Sequence, residues 1–334
     1  MTSILLFLSI FIITFAITYL VRIYAIKKSI VDIPNERSSH TISTPRGGGI
    51  AIIIVWVIGL SYLFIKGELE TRFFLALISG MVLFVISLID DIIDLKPKIR
   101  LAAQSISVII ALYFIGGFQN IDFGFFIFKN IWINTLLAFI GLIWFINLFN
   151  FLDGIDGYAS TETILISLAF YAFFNDNLLL ILAFSTLGFL IWNWQPAKIF
   201  MGDVGSTVLG FTLGLFTIYY SQKHNVSIFT LLIPSALFWF DASLTLFRRW
   251  RNKEKLSVAH KKHAYQRLVQ SGFSHQKVVL WSLIVNGILF TLAWGAYTFP
   301  KFVLLFFGVA LVLLYGITRW VDKRKAFKKK ISGE

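Results

Sequence analysis

The chain has 334 residues, 57% of them hydrophobic and 17% aromatic, with mean hydropathy +0.80 and only 14% charged residues. Soluble domains carry roughly 25% charged residues, and a water-soluble fold of this length could not hide so much apolar surface, so lipid is the solvent. The absence of cysteine excludes disulfides and thiolate metal sites, leaving oxygen and histidine as metal ligands. The net charge of +13 reads as membrane topology and not as nucleic-acid binding, because no soluble basic domain carries it.

Apolar runs predict helices at Ser3–Ala25, Gly47–Ile65, Arg72–Ile89, Leu101–Phe118, Ile131–Ile146, Thr161–Phe174, Leu178–Trp192, Gly205–Tyr220, Val226–Phe247, Val278–Phe299 and Phe302–Arg319. The count is eleven spans, or ten if the short pair between Thr161 and Trp192 is miscounted. The first run lacks a small-residue cleavage site and reads as a retained helix. Alternate loops fall into two sets, and one set holds about 24 of the 30 Lys and Arg. The positive-inside rule puts that set in the cytoplasm, with the N-terminus outside and the C-terminus inside. The expected fold is all-α: one polytopic integral membrane domain over 1–334, ending in a basic cytoplasmic tail at 318–334.

The unusual polar residues all lie in the cytoplasmic set. Pro34–His40 and Thr44–Gly49 fill the first inner loop, with Arg37, His40 and Arg46 as cations and three glycines that suit a hinge or a phosphate-facing backbone. Asp90, Asp91 and Asp94 close the third span. Three carboxylates so close repel one another unless a cation neutralises them, and Lys96, Lys98 and Arg100 follow at once. The same residues also suit a solvated, charge-balanced loop.

Asn147, Asn150, Asp153 and Asp156 recur every three residues at the end of the fifth span. Each such step falls about 60° short of a full helical turn, so neighbours share a face but all four cannot. Gly154 and Gly157 suggest that the helix loosens there. Amides and carboxylates at the end of an apolar span are costly to bury, and a hard cation with a polar ligand would offset that cost; a polar helix cap is the simpler alternative. Asp203, between Gly202 and Gly205, opens the eighth span and is either a presented carboxylate beside free N–H groups or an N-cap. His260, His263 and Arg267, with the intervening lysines, form a cationic patch in the longest inner loop. Phosphate neutralisation fits it better than zinc, for which no third ligand lies nearby, and contact with anionic lipid is the alternative.

Asp90-Asp91-x-x-Asp94, Asn147-x-x-Asn150-Phe-x-Asp153-Gly-x-Asp156-Gly, Phe200-Met-Gly-Asp203-x-Gly-Ser and a His-containing last inner loop, in that order, resemble the polyprenyl-phosphate N-acetylhexosamine-1-phosphate transferases (glycosyltransferase family 4). The resemblance spans about Pro34 to Arg267. It implies that a UDP-N-acetylamino sugar and undecaprenyl phosphate give undecaprenyl-diphospho-sugar and UMP, with Mg²⁺ or Mn²⁺. It makes Asp203 the metal ligand, places Asn150 close to the metal, and gives Asp90 or Asp91 the lipid phosphate. Asp156 and Phe200 resemble uracil-binding positions, and His260 and His263 fall where the family's histidines meet phosphate. Asn147, Lys98 and Arg267 are further substrate-binding candidates, and Asp153 is a catalytic one. The muramoyl-pentapeptide enzymes carry three consecutive histidines, whereas this loop reads His260-Lys-Lys-His263. The chain is therefore more similar to the branch that starts O-antigen or capsule units on N-acetylfucosamine, N-acetylquinovosamine or related sugars.

The acceptor is already an anionic phosphate, so direct in-line attack on the sugar-side phosphorus is the expected route. A two-step route through an aspartyl phosphate on Asp91 or Asp153 is the chemical alternative. The expected partners are the UDP-sugar, undecaprenyl phosphate and the bilayer, with no nucleic acid and a homodimer left open. An ion-coupled transporter is the competing class, but a carrier places its ionisable groups near the bilayer midplane and these lie at span ends.

Overall fold

The computed structural model describes residues 2–34, 43–93, 95–256, 258 and 260–327. Arg37, His40 and Asp94, noted above, lie outside the described residues, as does 328–334 of the basic tail.

The described residues are mostly helical. In order, the helices are α1 (Thr2–Lys27), α2 (Gly49–Ile65), α3 (Thr71–Ile78), α4 (Met81–Ile93), α5 (Pro97–Ile115), α6 (Ile131–Leu152), α7 (Tyr158–Phe174), α8 (Asn177–Asn193), α9 (Gly202–Lys223), α10 (Ile228–Leu232), α11 (Ala236–Arg251), α12 (Ala264–Gln270), α13 (His275–Thr298) and α14 (Val303–Arg324). Two short antiparallel hairpins interrupt them, β1 (Val31–Asp32) with β2 (Thr44–Pro45) and β3 (Ile121–Asp122) with β4 (Ile127–Phe128). Among the described residues seven helical segments are long and apolar enough to cross a bilayer, and α2, α7 and α8 are shorter apolar helices. The protein is a multi-pass membrane protein.

Each predicted span has a helical counterpart, but two are broken. The third span is α3 plus α4, separated at Ser79–Gly80; the Ser79 hydroxyl donates to Ala76 O at 2.7 Å and sits 3.0 Å from Ser107 O. The ninth, predicted as continuous from Val226 to Phe247, is α10 plus α11. Pro234 lies at the break: it has no N–H to donate and its ring would clash with the preceding turn. The freed Leu232 carbonyl accepts from Ser235 Oγ at 3.2 Å and Trp239 Nε1 at 2.9 Å, as a backbone group away from water must. The basic tail predicted from 318 begins as the last two turns of α14.

Large apolar side chains such as Leu5, Ile58, Ile106, Leu136, Ile284 and Leu305 are exposed around the outside of the bundle. That is the inverse of a soluble surface and is what lipid requires. The interior is organised around α9, whose apolar window is wholly buried. It packs against α2, α4 and α6. A methyl group on Gly210 would stand 2.9 Å from Phe149 Cβ, and one on Gly205 2.9 Å from Gly49 Cα, so these contacts need glycine. Small residues of this kind let membrane helices approach closely where hydrophobic driving force is absent.

Candidate active site

The ends of α4, α6, α9 and α11 and the start of α5 meet at one end of the bundle. They enclose a cavity of about 460 Å³ whose lining includes Asp90, Arg100, Asn147, Asn150, Asp203, His260 and His263.

The repeat at the end of α6 divides as the helical geometry requires. Asn147 and Asn150 sit on the last turns of the helix, which stops at Leu152 with Asp153 as its C-cap. Asn147 exchanges two hydrogen bonds with Gln104 of α5, at 2.8 and 3.3 Å. Asn150 Nδ2 donates to Asp203 Oδ1 at 3.0 Å and to Ser206 Oγ at 2.8 Å. Past the cap, Gly157 takes φ +75° and starts α7. The turn draws Asp153 and Asp156 off the cavity. Asp156 accepts from Ala197 N at 3.0 Å and faces His275 Nδ1 at 3.3 Å, so it ties the α6–α7 turn to the loop after α8. Asp153 is half-buried; desolvation, then Asp203, Asp91 and Asp156, push its pKa up to about 7.

Asp90 is buried and engaged on both oxygens: Oδ1 accepts from Leu95 N at 2.6 Å, and Oδ2 lies 3.1 Å from Arg100 Nη1. The same Arg100 nitrogen stands 3.6 Å from Asp203 Oδ2, so one guanidinium bridges two carboxylates. Asp91 points to the other side of α4. Its Oδ1 accepts from Asp203 N at 3.4 Å, and its buried Oδ2 has no hydrogen-bond partner among the described residues. Arg46 donates through Nη2 to the Asp91 carbonyl. Gly202 makes this approach feasible: it takes φ +77°, and a Cβ there would be 2.9 Å from Asp91 Oδ2.

The histidines stand on a loop held from below. Both Asp241 oxygens accept from Ala264 N at 2.9 Å, and Tyr265 Oη donates to Phe151 O at 3.1 Å, docking α12 over the end of α6. Buried Arg249 donates to the carbonyls of Lys255, Leu256 and Val258 and pairs with Glu254 at 3.2 Å. The His260 and His263 rings are 4.8 Å apart. Both are held neutral, a departure from the cationic patch expected. Burial, then His263, Arg249 and Lys262, lower the His260 pKa to about 3, and burial with Arg249 and Arg267 does the same to His263.

Three further candidates lie off the cavity. Arg267 is buried and bound to Asp322 of α14 at 2.5 Å and to the Lys262 and Lys325 carbonyls, so it locks α12 to the last helix. Phe200 takes part in backbone pairing, its N–H to Pro45 O at 2.8 Å and its carbonyl to Gly48 N at 2.9 Å. Lys98 is exposed in the first turn of α5. Arg100, expected as a neutralising cation beside the Asp cluster, belongs to the cavity's polar framework together with Gln104 and Ser206, which the sequence did not point to. Asp241 and Arg249 were missed too, although a lone acid inside an apolar run is a legible signal of function.

Among the described residues no three acidic or histidine side chains converge as a ready-made metal cage. Mg²⁺ rarely needs one, since it is commonly held by one or two carboxylates with substrate phosphates and water. Asp203, with its carboxylate partly open to the cavity, and the unpartnered Asp91 Oδ2 behind it fit that mode. Asn150 spends its amide N–H₂ on orienting Asp203.

A cavity lined by carboxylates, amides and histidines at one end of a lipid-embedded helical bundle marks the protein as a membrane transferase. The model of the family described as "Glycosyl transferase family 4" matches residues 73–221. The chain belongs to this family, among its polyprenyl-phosphate N-acetylhexosamine-1-phosphate transferases. It is 32% identical to a protein of Bacillus subtilis named probable undecaprenyl-phosphate N-acetylglucosaminyl 1-phosphate transferase, over 83% of this chain and 80% of that one. It is 30% identical to the decaprenyl-phosphate N-acetylglucosaminephosphotransferase of Mycolicibacterium smegmatis, over 92% and 85%. The undecaprenyl-phosphate alpha-N-acetylglucosaminyl 1-phosphate transferase of Salmonella typhi is also 30% identical, over 92% and 89%. None of these relatives is named as a carrier.

Proposed function

We propose that this protein transfers N-acetylglucosamine 1-phosphate from its UDP-sugar to undecaprenyl phosphate, starting a cell-surface polysaccharide such as an O-antigen. The observation that carries this reading is the convergence of Asp90, Asn150, Asp203 and both histidines on one cavity at the end of a membrane bundle. The relatives named for N-acetylglucosamine favour that sugar over the N-acetylfucosamine and N-acetylquinovosamine expected from the histidine loop.

An oxygen of the lipid phosphate attacks the sugar-side phosphorus in line. The bond from that phosphorus to the bridging oxygen breaks, and UMP leaves with that oxygen and its electron pair. Mg²⁺ or Mn²⁺, held by Asp203 with Asp91 behind it, would neutralise charge growing on the leaving group. Asn150 keeps Asp203 aimed at the cavity. Asp90 restrains Arg100, whose guanidinium can turn from the carboxylates to an arriving phosphate. The neutral histidines can donate or accept a hydrogen bond at the diphosphate without adding repulsion among the loop's cations. The cavity faces the cytoplasm of a bacterial inner membrane, where UDP-sugars are made, with the N-terminus outside.

The test uses purified protein with undecaprenyl phosphate and Mg²⁺, offered UDP-N-acetylglucosamine, UDP-N-acetylgalactosamine and UDP-N-acetylmuramoyl-pentapeptide. Release of UMP with a lipid-linked product from the first is expected. No UMP from any donor would overturn the reading, and turnover of the pentapeptide alone would reassign the sugar.

A further inference from the structure

A second cavity, about 580 Å³, lies on the opposite side of α11 from the catalytic one, between α11, α13 and α14. Its walls are almost wholly apolar, from Val312, Ile317 and Val321 of α14 and Val285 and Ile288 of α13. It runs along the halves of these helices nearest the catalytic end of the bundle. From Val312 to Trp320 is eight residues, about 12 Å of helix, close to the depth of one leaflet in a hydrocarbon core of about 30 Å.

The mouth of the groove is cationic and aromatic. Lys277 Nζ lies 4.6 Å from the centre of the Phe273 ring, and the Arg324 guanidinium 5.4 Å from the same ring and 4.5 Å from that of Trp320. Both cations are exposed, and neither has an acidic partner among the described residues. Trp281 and Trp320 line the groove beside them, as aromatic side chains do at headgroup depth. At its inner end the groove reaches Tyr158, Asp241, Ala264 and Tyr265, the back of the buttress that holds the histidine loop.

We propose that this groove binds one anionic phospholipid of the bilayer, its phosphate on Lys277 and Arg324 and an acyl chain along α14. Charge complementarity selects the occupant: a zwitterionic lipid fills the apolar channel equally well but gains less at the two cations. The bound chain packs against Tyr265 and Ala264 and so stiffens the loop carrying His260 and His263; that consequence rests on the proposed reaction, whereas the binding itself does not.

Gly316 makes the proposal testable. It lines the groove, and a Cβ there meets no atom within 4 Å, so a larger side chain can enter the channel from this position without a clash at its root. The protein would be placed in nanodiscs of equal phosphatidylglycerol and phosphatidylcholine, released in detergent, and its retained lipid identified by native mass spectrometry. Wild type should retain phosphatidylglycerol over phosphatidylcholine by about tenfold or more, from two surface cations acting on one headgroup. Lys277→Gln/Arg324→Gln should lose that preference, and Gly316→Phe should lose both lipids. Both changes lie on exposed or open positions, and elution as a single species confirms the fold. Equal retention of the two lipids by wild type, or an unchanged preference in the double variant, overturns the proposal. So does preferential retention of added undecaprenyl phosphate, which would make the groove an acceptor site. Each outcome is read without turnover, so failure here is distinct from failure of the proposed reaction.

Discussion

Asn150 Nδ2 donates to Asp203 Oδ1 at 3.0 Å, joining the end of α6 to the first turn of α9. The two residues come from motifs 53 positions apart, and their contact is the reason the carboxylate faces the cavity. Asn150→Ala should raise the Mg²⁺ concentration needed for half-maximal UMP release and lower turnover by about 10- to 100-fold, as loss of a partner that orients a metal ligand does. Asn150→Asp, which replaces the donor with a second charge, should not rescue it. An unchanged Mg²⁺ titration in Asn150→Ala would remove the orienting role.

Asp203→Asn should reduce UMP release by about a thousandfold, the scale of losing a preorganised charge at a transition state, while the protein elutes as wild type does. Near-wild-type turnover would make Asp203 only a helix cap.

Chelation should abolish turnover, and added Mg²⁺ or Mn²⁺ should restore it, because Asp203 and the unpartnered Asp91 Oδ2 offer hard oxygen donors. Full turnover in excess EDTA contradicts this.

Two titrations of opposite sign share one pH window. Asp153 is raised to about 7, so the folded state holds a proton the unfolded state releases near pH 4; its contribution to stability is present at low pH and is lost as pH rises towards 7. His260 and His263 are lowered to about 3, so the unfolded state binds protons that the folded state refuses below about pH 6.5; their contribution is lost as pH falls. Thermal inactivation midpoints measured from pH 4 to 8 should separate them. Asp153→Asn should gain on wild type as pH rises, and His263→Gln should gain as pH falls. Parallel profiles for all three proteins would show that these groups keep ordinary pKa values when folded.

The cytoplasmic assignment can be read with single cysteines, since the chain has none of its own. Gln270 and Lys66 are exposed and suit the substitution. Gln270→Cys should resist an impermeant thiol reagent in intact cells and label after permeabilisation, while Lys66→Cys should label in intact cells. Labelling of both from one side would overturn the topology.

Much of this architecture is legible in the sequence because lipid imposes a simple rule: a span must be apolar for its whole length. The alternation of basic loops and the order of the Asp and Asn motifs were equally readable, and they brought Asp90, Asn150, Asp203 and His263 to one cavity. What was hidden depends on tertiary contact. Asp153 and Asn150 look alike as polar residues at one helix end, but Asp153 caps the helix and turns away. The histidines look cationic beside lysines and arginines, yet burial among those same cations makes them neutral. Arg267 looks like a phosphate ligand until α14 brings Asp322 against it. The break at Pro234 is a local signal that the continuous apolar run from Val226 to Phe247 masks.

The full burial of α9 has a consequence for how the chain enters the membrane. Its apolar window has a hydropathy of 1.2, against 2.0 for α6 and 2.7 for the first helix. Glycine, serine and threonine along it serve its protein neighbours and give little to lipid, so of the seven long segments among the described residues it is the weakest candidate for partitioning out of the translocation channel. Asp203, which lines the cavity, thus sits on a segment that must be received by helices already inserted. Assembly of the cavity and completion of the bundle become one event, and a chain that fails to gather α2, α4 and α6 first has no Asp203 to present there.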